Sequence, residues 1–471
     1  MRSKIPLYRT LAEEIERHIK SRLFKEGDKL LSLRSFAKEK EISLTTARQV
    51  YFELEIKGLI IPRPQSGYQV VYKAKGLADT PSSSQPLTAK KQDNLIEIFS
   101  KVYDNKNLAK VYLSSSQLSA RLVPVERLNK EIIRAVRHLP HGGVDYEIHG
   151  NAKLKRQIAR KALSWNGNIR EEDVIPTSGC FDAIALCLFY LLKPGDTIAV
   201  ESPVHYGLTN FARIHGYKLL ELPTNPVYGI EVEALTKVLQ QRKVKVCLLM
   251  GNFSNPFGSL MPDEHKKAIV TLMEKYNVPL IEDDIYGDLY YSPSCPSFCK
   301  SYDESGIVLW CGSVSKTLAG GYRVGWLVPG KFKSQILQSQ PYHPVNCNSV
   351  THEAIGRFLE NNRYENYLKN VRKTLYLNSR QFLRCIKEYF PADTKVTKPQ
   401  GGIQLWVELN KRVDTLELYN KAMLNNISIS PGVIYSAQQQ FNNSFRLNYG
   451  MIWNNEVEDA LKLLGKLVDK C

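Results

Sequence analysis

In the first seventy residues the apolar positions fall at helical spacing. LYRTLAEEIERHIKSRLF sets Leu7, Leu11, Ile15, Ile19 and Leu23 four apart, which predicts one amphipathic helix running toward Gly27-Asp28. SLRSFAKEK (32–40) predicts a short second helix with Ser32 as its N-cap. Ser43 caps a third, LTTARQVYFELEIKG, which Gly58 closes. LIIP (59–62) and YQVV (68–71) surround RPQSG and predict a small β-hairpin. Helix, helix-turn-helix and hairpin, in that order, predict a winged helix-turn-helix over residues 1–73.

Periodicity then stops. AKGLADTPSSSQPLTAKKQDN (74–94) is small, polar and proline-bearing, and predicts a flexible linker. From residue 95 to 471, strand-like runs alternate with helical ones. DTIAVES (196–202), YKLLELP (217–223), VKVCLLMGN (244–252), VPLIEDD (278–284) and GIVLWCGS (306–313) predict strands, and PDEHKKAIVTLMEKYN (262–277) a helix between two of them. That alternation predicts an α/β fold, a mostly parallel sheet covered by helices, with ligands beyond the carboxyl ends of the strands.

Charge sharpens the picture of the first segment. The 471-residue chain carries a net +17, and residues 1–75 hold 16 Lys/Arg against 9 Asp/Glu, which suits a polyanionic partner. The longest apolar run, AIALCLFYLL (183–192), is too short to span a bilayer, so no membrane association is expected. MRSKIPLYRT has no apolar signal core, and a cytoplasmic protein is expected. Nine scattered cysteines without a CxxC pair predict reduced thiols, and no cluster has metal-ligand spacing.

In the winged helix-turn-helix the third helix would enter the major groove by its first turn, from Ser43 to Arg48, while Arg63 and the loop Gln65-Ser66-Gly67 follow the phosphates. The LY opening, GDKLLSLRSFA, ISLTTARQVYFELEIKGLI and RPQSGYQV resemble the GntR family of bacterial transcription regulators. The resemblance implies double-stranded operator DNA as partner and Arg34, Ser43, Thr45, Thr46, Arg48 and Gly67 as its contacts. It departs at Leu44, where the family usually has arginine, and at Leu31, where it usually has proline.

In the large segment four polar clues fall at element ends. Ser178-Gly179-Cys180 opens a long apolar helix, Asn255 lies in NPFG, Asp283 in EDDIYGD, and Lys316 in GSVSKTLAGGYRVGW. Each alone is commonplace: a lysine after a strand is ordinarily a surface lysine. Together they suit pyridoxal 5'-phosphate. A lysine condenses with its aldehyde, a carboxylate keeps the ring nitrogen protonated, and hydroxyls, helix amides and an arginine hold the phosphate. Lys316 would take the first role, and Ser313, Ser315 and Arg323 the last.

These motifs resemble the class I/II aminotransferase family, of PLP fold type I, over roughly residues 110–468. The resemblance implies Lys316 as the Schiff-base lysine, Asp283 as partner of the ring nitrogen, and Tyr286 and Asn255 on the ring hydroxyl. It assigns Ser178, Gly179, Cys180, Ser313 and Arg323 to the phosphate and Arg446 to a substrate carboxylate. Tyr146 would reach the phosphate of a neighbouring subunit, which implies a homodimer. His205 stands where an aromatic normally stacks on the ring, Gly320 where proline is usual, and SSSQLSARLVP (114–124) is serine-rich where a glycine is common.

A GntR-like reader joined to an aminotransferase-like domain resembles the MocR-type regulators, nearest their YdcR-like branch. The resemblance implies a PLP-dependent transcription regulator whose effector is PLP, an amine or an amino acid. A working aminotransferase, with Lys316 moving the proton, is the alternative. A protein-interaction module on a relic enzyme fold is the third reading.

Overall fold

The computed structural model describes residues 7–21, 23–63, 67–71, 78–85, 95–104, 109–145, 147, 150–339 and 348–471. The chain divides into two compact units, Met1–Leu77 and Ala78–Cys471.

The first unit holds helices α1 (Leu7–Lys20), α2 (Leu33–Glu39) and α3 (Leu44–Ile56), then strands β1 (Ile60–Arg63) and β2 (Gly67–Val70). The strands pair antiparallel, Ile60 opposite Val70 and Arg63 opposite Gly67. Both expected caps form: Ser32 Oγ accepts the Ser35 N–H at 3.1 Å and Ser43 Oγ the Thr46 N–H at 3.0 Å. Gly58, with φ +66°, turns the chain out of α3. Ala12, Ile15, Ile19, Phe36, Val50 and Leu54 are among the buried residues that weld the helices together. The first helix is shorter than its apolar stripe suggests, ending at Lys20, with Leu7 and Leu23 exposed. Each four-residue step overshoots a full turn by about 40°, so a stripe of five drifts roughly 160° around the axis. Its ends leave the buried face.

In the second unit, among the described residues, seven strands form one sheet. They are β3 (Ile175–Thr177), β4 (Thr197–Glu201), β5 (Lys218–Leu222), β6 (Val246–Leu249), β7 (Leu280–Asp284), β8 (Val308–Ser313) and β9 (Gly325–Val328), in the spatial order β3-β9-β8-β7-β6-β4-β5. β9 runs antiparallel to both neighbours, and the other adjacent pairs are parallel. The central strands are wholly buried, which is why they read as continuous apolar runs. Helices α4 (Cys180–Leu191) and α5 (Asp263–Tyr276) cover the sheet, and α4 is apolar nearly all round because it packs under other elements. A smaller antiparallel sheet, β10 (Lys395–Val396), β11 (Gln404–Glu408), β12 (Ser430–Pro431) and β13 (Ser444–Asn448), sets Arg446 opposite Trp406. No described helix is long and apolar enough to cross a membrane.

The expected linker is not loose throughout. Residues 78–85 lie along the second unit: the Val396 N–H donates to Asp79 O at 2.7 Å and the Ser84 N–H to Thr224 O at 2.9 Å. The Thr224 N–H returns a bond to Ser84 Oγ at 2.9 Å, and Asn225 Nδ2 donates to Ser83 Oγ at 3.0 Å. The serines that suggested a solvated tether are bonded to the domain beside it.

Close packing fixes the junction of β3 and β9. A Cβ on Gly325 would lie 2.5 Å from the carbonyl carbon of Gly179. Gly325→Ala therefore overpacks a backbone-to-backbone contact. It should lower the stability of the second unit by about 1–3 kcal/mol, read as a lower urea midpoint at unchanged slope.

Candidate functional site

The parallel strands deliver their following residues to one edge. Thr177 ends β3 and is followed by Ser178, Gly179 and Cys180; Glu201 ends β4 ahead of His205; Asn255 follows β6; Asp283 is the penultimate residue of β7; Ser313 ends β8, with Lys316 three residues on. Arg323 precedes β9, which starts beside the end of β8 because the two run antiparallel.

Strand alternation decides which of three consecutive acids faces this edge. Glu282 accepts the N–H groups of Cys299 (2.7 Å) and Lys300 (2.9 Å). Asp284 accepts Trp310 Nε1–H at 3.0 Å and the Gly287 N–H at 3.1 Å. Both are spent on structure. Asp283, pointing the other way, accepts the Cys180 thiol at Oδ1, 3.1 Å. Burial pushes its carboxyl up to about 6, opposed by that thiol, the Ile285 N–H and the charge of Lys316.

The Lys316 amine donates to Ser116 Oγ at 3.0 Å. Burial brings its pKa down to about 8, helped by the positive charge of Arg446 and opposed by Asp283. His205 is drawn down to about 3 by burial, then by Lys316 and Arg446, so its ring is neutral near pH 7. Its Nδ1 accepts the Gly207 N–H at 3.1 Å, which leaves the tautomer with hydrogen on Nε2. His205, Asp283, Asn255, Met250 and Glu201 line one cavity.

Arg446 is fully buried. Nη1 donates to Asn255 Oδ1 at 3.1 Å, and Nη2 to the carbonyls of Ser114 at 2.5 Å and Ser115 at 3.0 Å. Its guanidinium lies 5.5 Å from the centroid of Tyr435. A buried cation needs such acceptors, because isolated charge is costly away from water.

At the start of α4, Gly179 has φ +117°. A Cβ there would lie 2.7 Å from Arg323 Nη2, so the guanidinium fills the space a side chain would take. Arg323 itself adopts a left-handed φ of +54°, unusual outside glycine. Ser313 Oγ accepts the Ser315 N–H at 2.9 Å, and Ser315 Oγ is buried without a protein partner. The Ser178 N–H is already taken by Asp182 at 2.8 Å. Cys180 departs from its expected role: its thiol turns to Asp283, and only its backbone remains at the helix start. Tyr286 is buried in the large-unit core. Tyr146 lies outside the described residues.

Two contributions escaped sequence reasoning. One is the set of contacts made by the serine-rich stretch already noted: the Ser114 and Ser115 carbonyls hold Arg446 and Ser116 Oγ holds Lys316, and only the hydroxyl of Ser116 had a signal in the sequence. Glu201 is the other. It gives one oxygen to the Met250 N–H at 2.8 Å, leaves Oε1 buried without a partner, and burial pushes it up to about 8.

In the first unit Arg34, Thr45 and Arg48 are exposed on α2 and α3. Ser43 and Thr46 also bond through their hydroxyls, 2.8 Å apart, so both serve the cap. Gly67 has φ +82° with open space around it. Arg63 Nε donates to Gln69 Oε1 at 3.0 Å. Gln65 and Ser66 lie outside the described residues.

These two constructions have known counterparts. Residues 7–70 match the model of bacterial regulatory proteins of the gntR family, and residues 111–464 match aminotransferase class I and II. The chain is 33% identical over 468 residues to the HTH-type transcriptional regulator YjiR of Escherichia coli K12, covering 98% of each chain. It is 32% identical to YdcR of the same organism, covering 98% of this chain and 99% of that one. Among solved structures, the α-aminoadipate aminotransferase LysN from Thermus thermophilus, complexed with N-(5'-phosphopyridoxyl)-L-leucine, superposes with a TM-score of 0.72 at 22% identity, over 81% of this chain and 95% of that one. That likeness shows the fold, PLP fold type I. With a DNA-reading unit of one family and a large unit of the other, and relatives alike over almost the full length, the chain belongs to the MocR-type transcriptional regulators, in which a GntR helix-turn-helix is joined to an aminotransferase class I/II domain.

Proposed function

We propose that this DNA-binding regulator takes pyridoxal 5'-phosphate at Lys316 and that the cofactor, or an amine or amino acid meeting it there, alters DNA binding. The observation that carries the reading is the meeting of a buried amine of lowered pKa, the Asp283 carboxyl and the buried Arg446 at one strand edge. The residues fit the group. Ser315 Oγ is a buried hydroxyl lacking a protein partner, and the Gly179 turn with Arg323 against it makes an anion-shaped cradle. LysN, with the same fold, carries a phosphopyridoxyl amino acid.

When bound, the cofactor supplies an aldehyde for a primary amine and a ring that accepts electrons. The chain's residues do the rest. Lys316 offers a neutral amine near pH 8, with Ser116 Oγ holding its nitrogen. Asp283 presents a carboxylate whose other contacts are the Cys180 thiol and the Ile285 N–H. Ser178, Gly179, Ser313, Ser315 and Arg323 would hold the phosphate, and Tyr286 and Asn255 would serve the ring hydroxyl. His205, a neutral imidazole near pH 7, would take the place of the stacking aromatic. Arg446, oriented by Asn255, grips the carboxylate of an amino acid, for which a guanidinium fork is suited. The chain acts in the cytoplasm as a homodimer reading two operator half-sites. Regulation requires the effector to bind the DNA-competent and DNA-incompetent arrangements with different affinity.

The intact pairing of Arg446 with Asn255, beside a Lys316 amine bonded to the Ser116 hydroxyl and to no carboxylate, favours transamination as a second reading. Single-turnover mixing of the PLP-loaded protein with a panel of amino acids decides it: conversion to the pyridoxamine form supports the activity, and no conversion with any of them removes it.

Lys316→Ala should lose the visible absorption band that forms when the wild type meets PLP, yet retain PLP by its phosphate in equilibrium dialysis. A persisting band would reassign the lysine. Because only the neutral amine attacks an aldehyde, band formation in the wild type should rise with pH through about 8, well below the ordinary lysine value of about 10.4.

Binding of the full chain to duplex DNA should weaken steeply with salt, log K falling by about 0.9 per phosphate contact for each unit of log salt. Arg34→Ala and Arg48→Ala should each flatten that slope by about one contact if both touch phosphate. Footprints with and without PLP then report whether the cofactor governs the contact.

A further inference from the structure

The first turn of α3 is built unlike a charge-rich reading head. Leu44 is its first residue, directly after the Ser43 cap, and its side chain is 45% exposed. It belongs to no part of the hydrophobic cluster that holds the first unit together. The neighbouring hydroxyls are partly spent, since Ser43 Oγ accepts the Thr46 N–H and is bonded to Thr46 Oγ1. What remains exposed on this turn is the Leu44 isobutyl group, Thr45 and, one turn on, Arg48. Arg48 is the one cationic residue in LTTARQVYFELEI.

We infer that Leu44 reads a thymine methyl group in the operator. The inference rests on the DNA-binding role of the first unit, with the first turn of α3 against base edges. In the major groove the C5-methyl of thymine is the apolar feature of the base edges. Guanine, adenine and cytosine present acceptors or amino donors there. Setting an isobutyl group on those polar edges would strip their water without returning a hydrogen bond, which disfavours them. Against thymine the same group buries carbon on carbon. Along α3 Leu44 is followed by Thr45 and Thr46, with Arg48 one turn on, and a lone isobutyl group beside hydroxyls and a guanidinium suits a single methyl contact between phosphate walls.

The test uses the full-length protein. Duplexes enriched from a random pool give the preferred site, and each thymine in it is then replaced in turn by deoxyuridine, which removes only the methyl group. In each half-site one thymine should weaken wild-type binding by roughly four-fold on replacement, the effect of losing one buried methyl-sized group. Leu44→Ala should be indifferent at that position, which makes the pair a double-mutant cycle. The same variant should keep the wild-type thermal unfolding midpoint by circular dichroism, which shows that its fold is intact. Leu44→Arg should move the enriched base there to guanine.

An enriched site in which every deoxyuridine replacement affects wild type and Leu44→Ala equally would overturn the Leu44 assignment while leaving DNA binding in place. So would a Leu44→Ala variant whose DNA affinities match wild type but whose dimer weakens in sedimentation, since that places Leu44 against protein. Failure to enrich or bind any duplex would overturn the DNA-reading role itself, and this inference with it.

Discussion

Keeping ionisable groups out of water governs the large unit. A lysine amine and a carboxyl are drawn toward each other's range when buried, because desolvation penalises whichever form is charged. At this edge Lys316 falls to about 8 and Asp283 rises to about 6. Neither is relieved by a direct ion pair with the other; Lys316 leans on a serine hydroxyl and Asp283 on a thiol. The Lys316 amine therefore loses its proton about two pH units below an ordinary lysine, and the Asp283 carboxyl keeps its proton to higher pH than an ordinary aspartate. The surrounding fold answers the cost elsewhere. Arg446, buried completely, takes two backbone carbonyls and an amide oxygen, and Glu282 and Asp284 are saturated by backbone and indole donors.

The sheet makes this possible without long-range design of each contact. In parallel strands every carboxyl end faces the same way, so residues just past β3, β4, β6, β7 and β8 meet in space although they are scattered over some 140 positions of sequence. The one reversal, β9, is equally useful: it brings Arg323 to the same edge from the other chain direction. Gly179 and Gly325 then let two backbones touch where the cradle forms.

Much of this was legible in the residues. The five expected strands fall within their runs, and β6 and β8 read as nearly continuous apolar stretches because they are buried on both faces. The caps at Ser32 and Ser43 were legible because a short hydroxyl before a helix has few other uses. What stayed hidden depended on partners distant in sequence. Nothing local distinguishes the serines of 78–85, which bond to the domain, from serines in water. Ser116 meets Lys316 across 200 positions, and Ser114 meets Arg446 across 332. Of three adjacent acids, the family resemblance pointed to Asp283, and the alternation of the strand supplies the physical reason, since Glu282 and Asp284 are spent on backbone and indole donors. For Cys180 the motif indicated a place at the helix start but not the direction of the side chain: its thiol donates to the buried Asp283 carboxyl, three strands along the sheet.

The two units also divide the physical labour. The first is held by a small core of helices and a hairpin, and its exposed residues are the ones that would meet DNA. The second buries large apolar clusters on both faces of its sheet, and these hold the polar groups of the strand edge in place. Coupling them requires no new chemistry. A ligand that is bound more tightly in one arrangement of the units shifts the population by that difference in affinity and by no more. In the proposed reading Arg446 is where such a difference would arise, since its guanidinium is held by the Ser114 and Ser115 carbonyls. A ligand carboxylate at Arg446 would share or displace those bonds, and the serine stretch that yields them is the same one that holds the Lys316 amine. Any ligand gripping Arg446 therefore acts on both ends of that stretch at once.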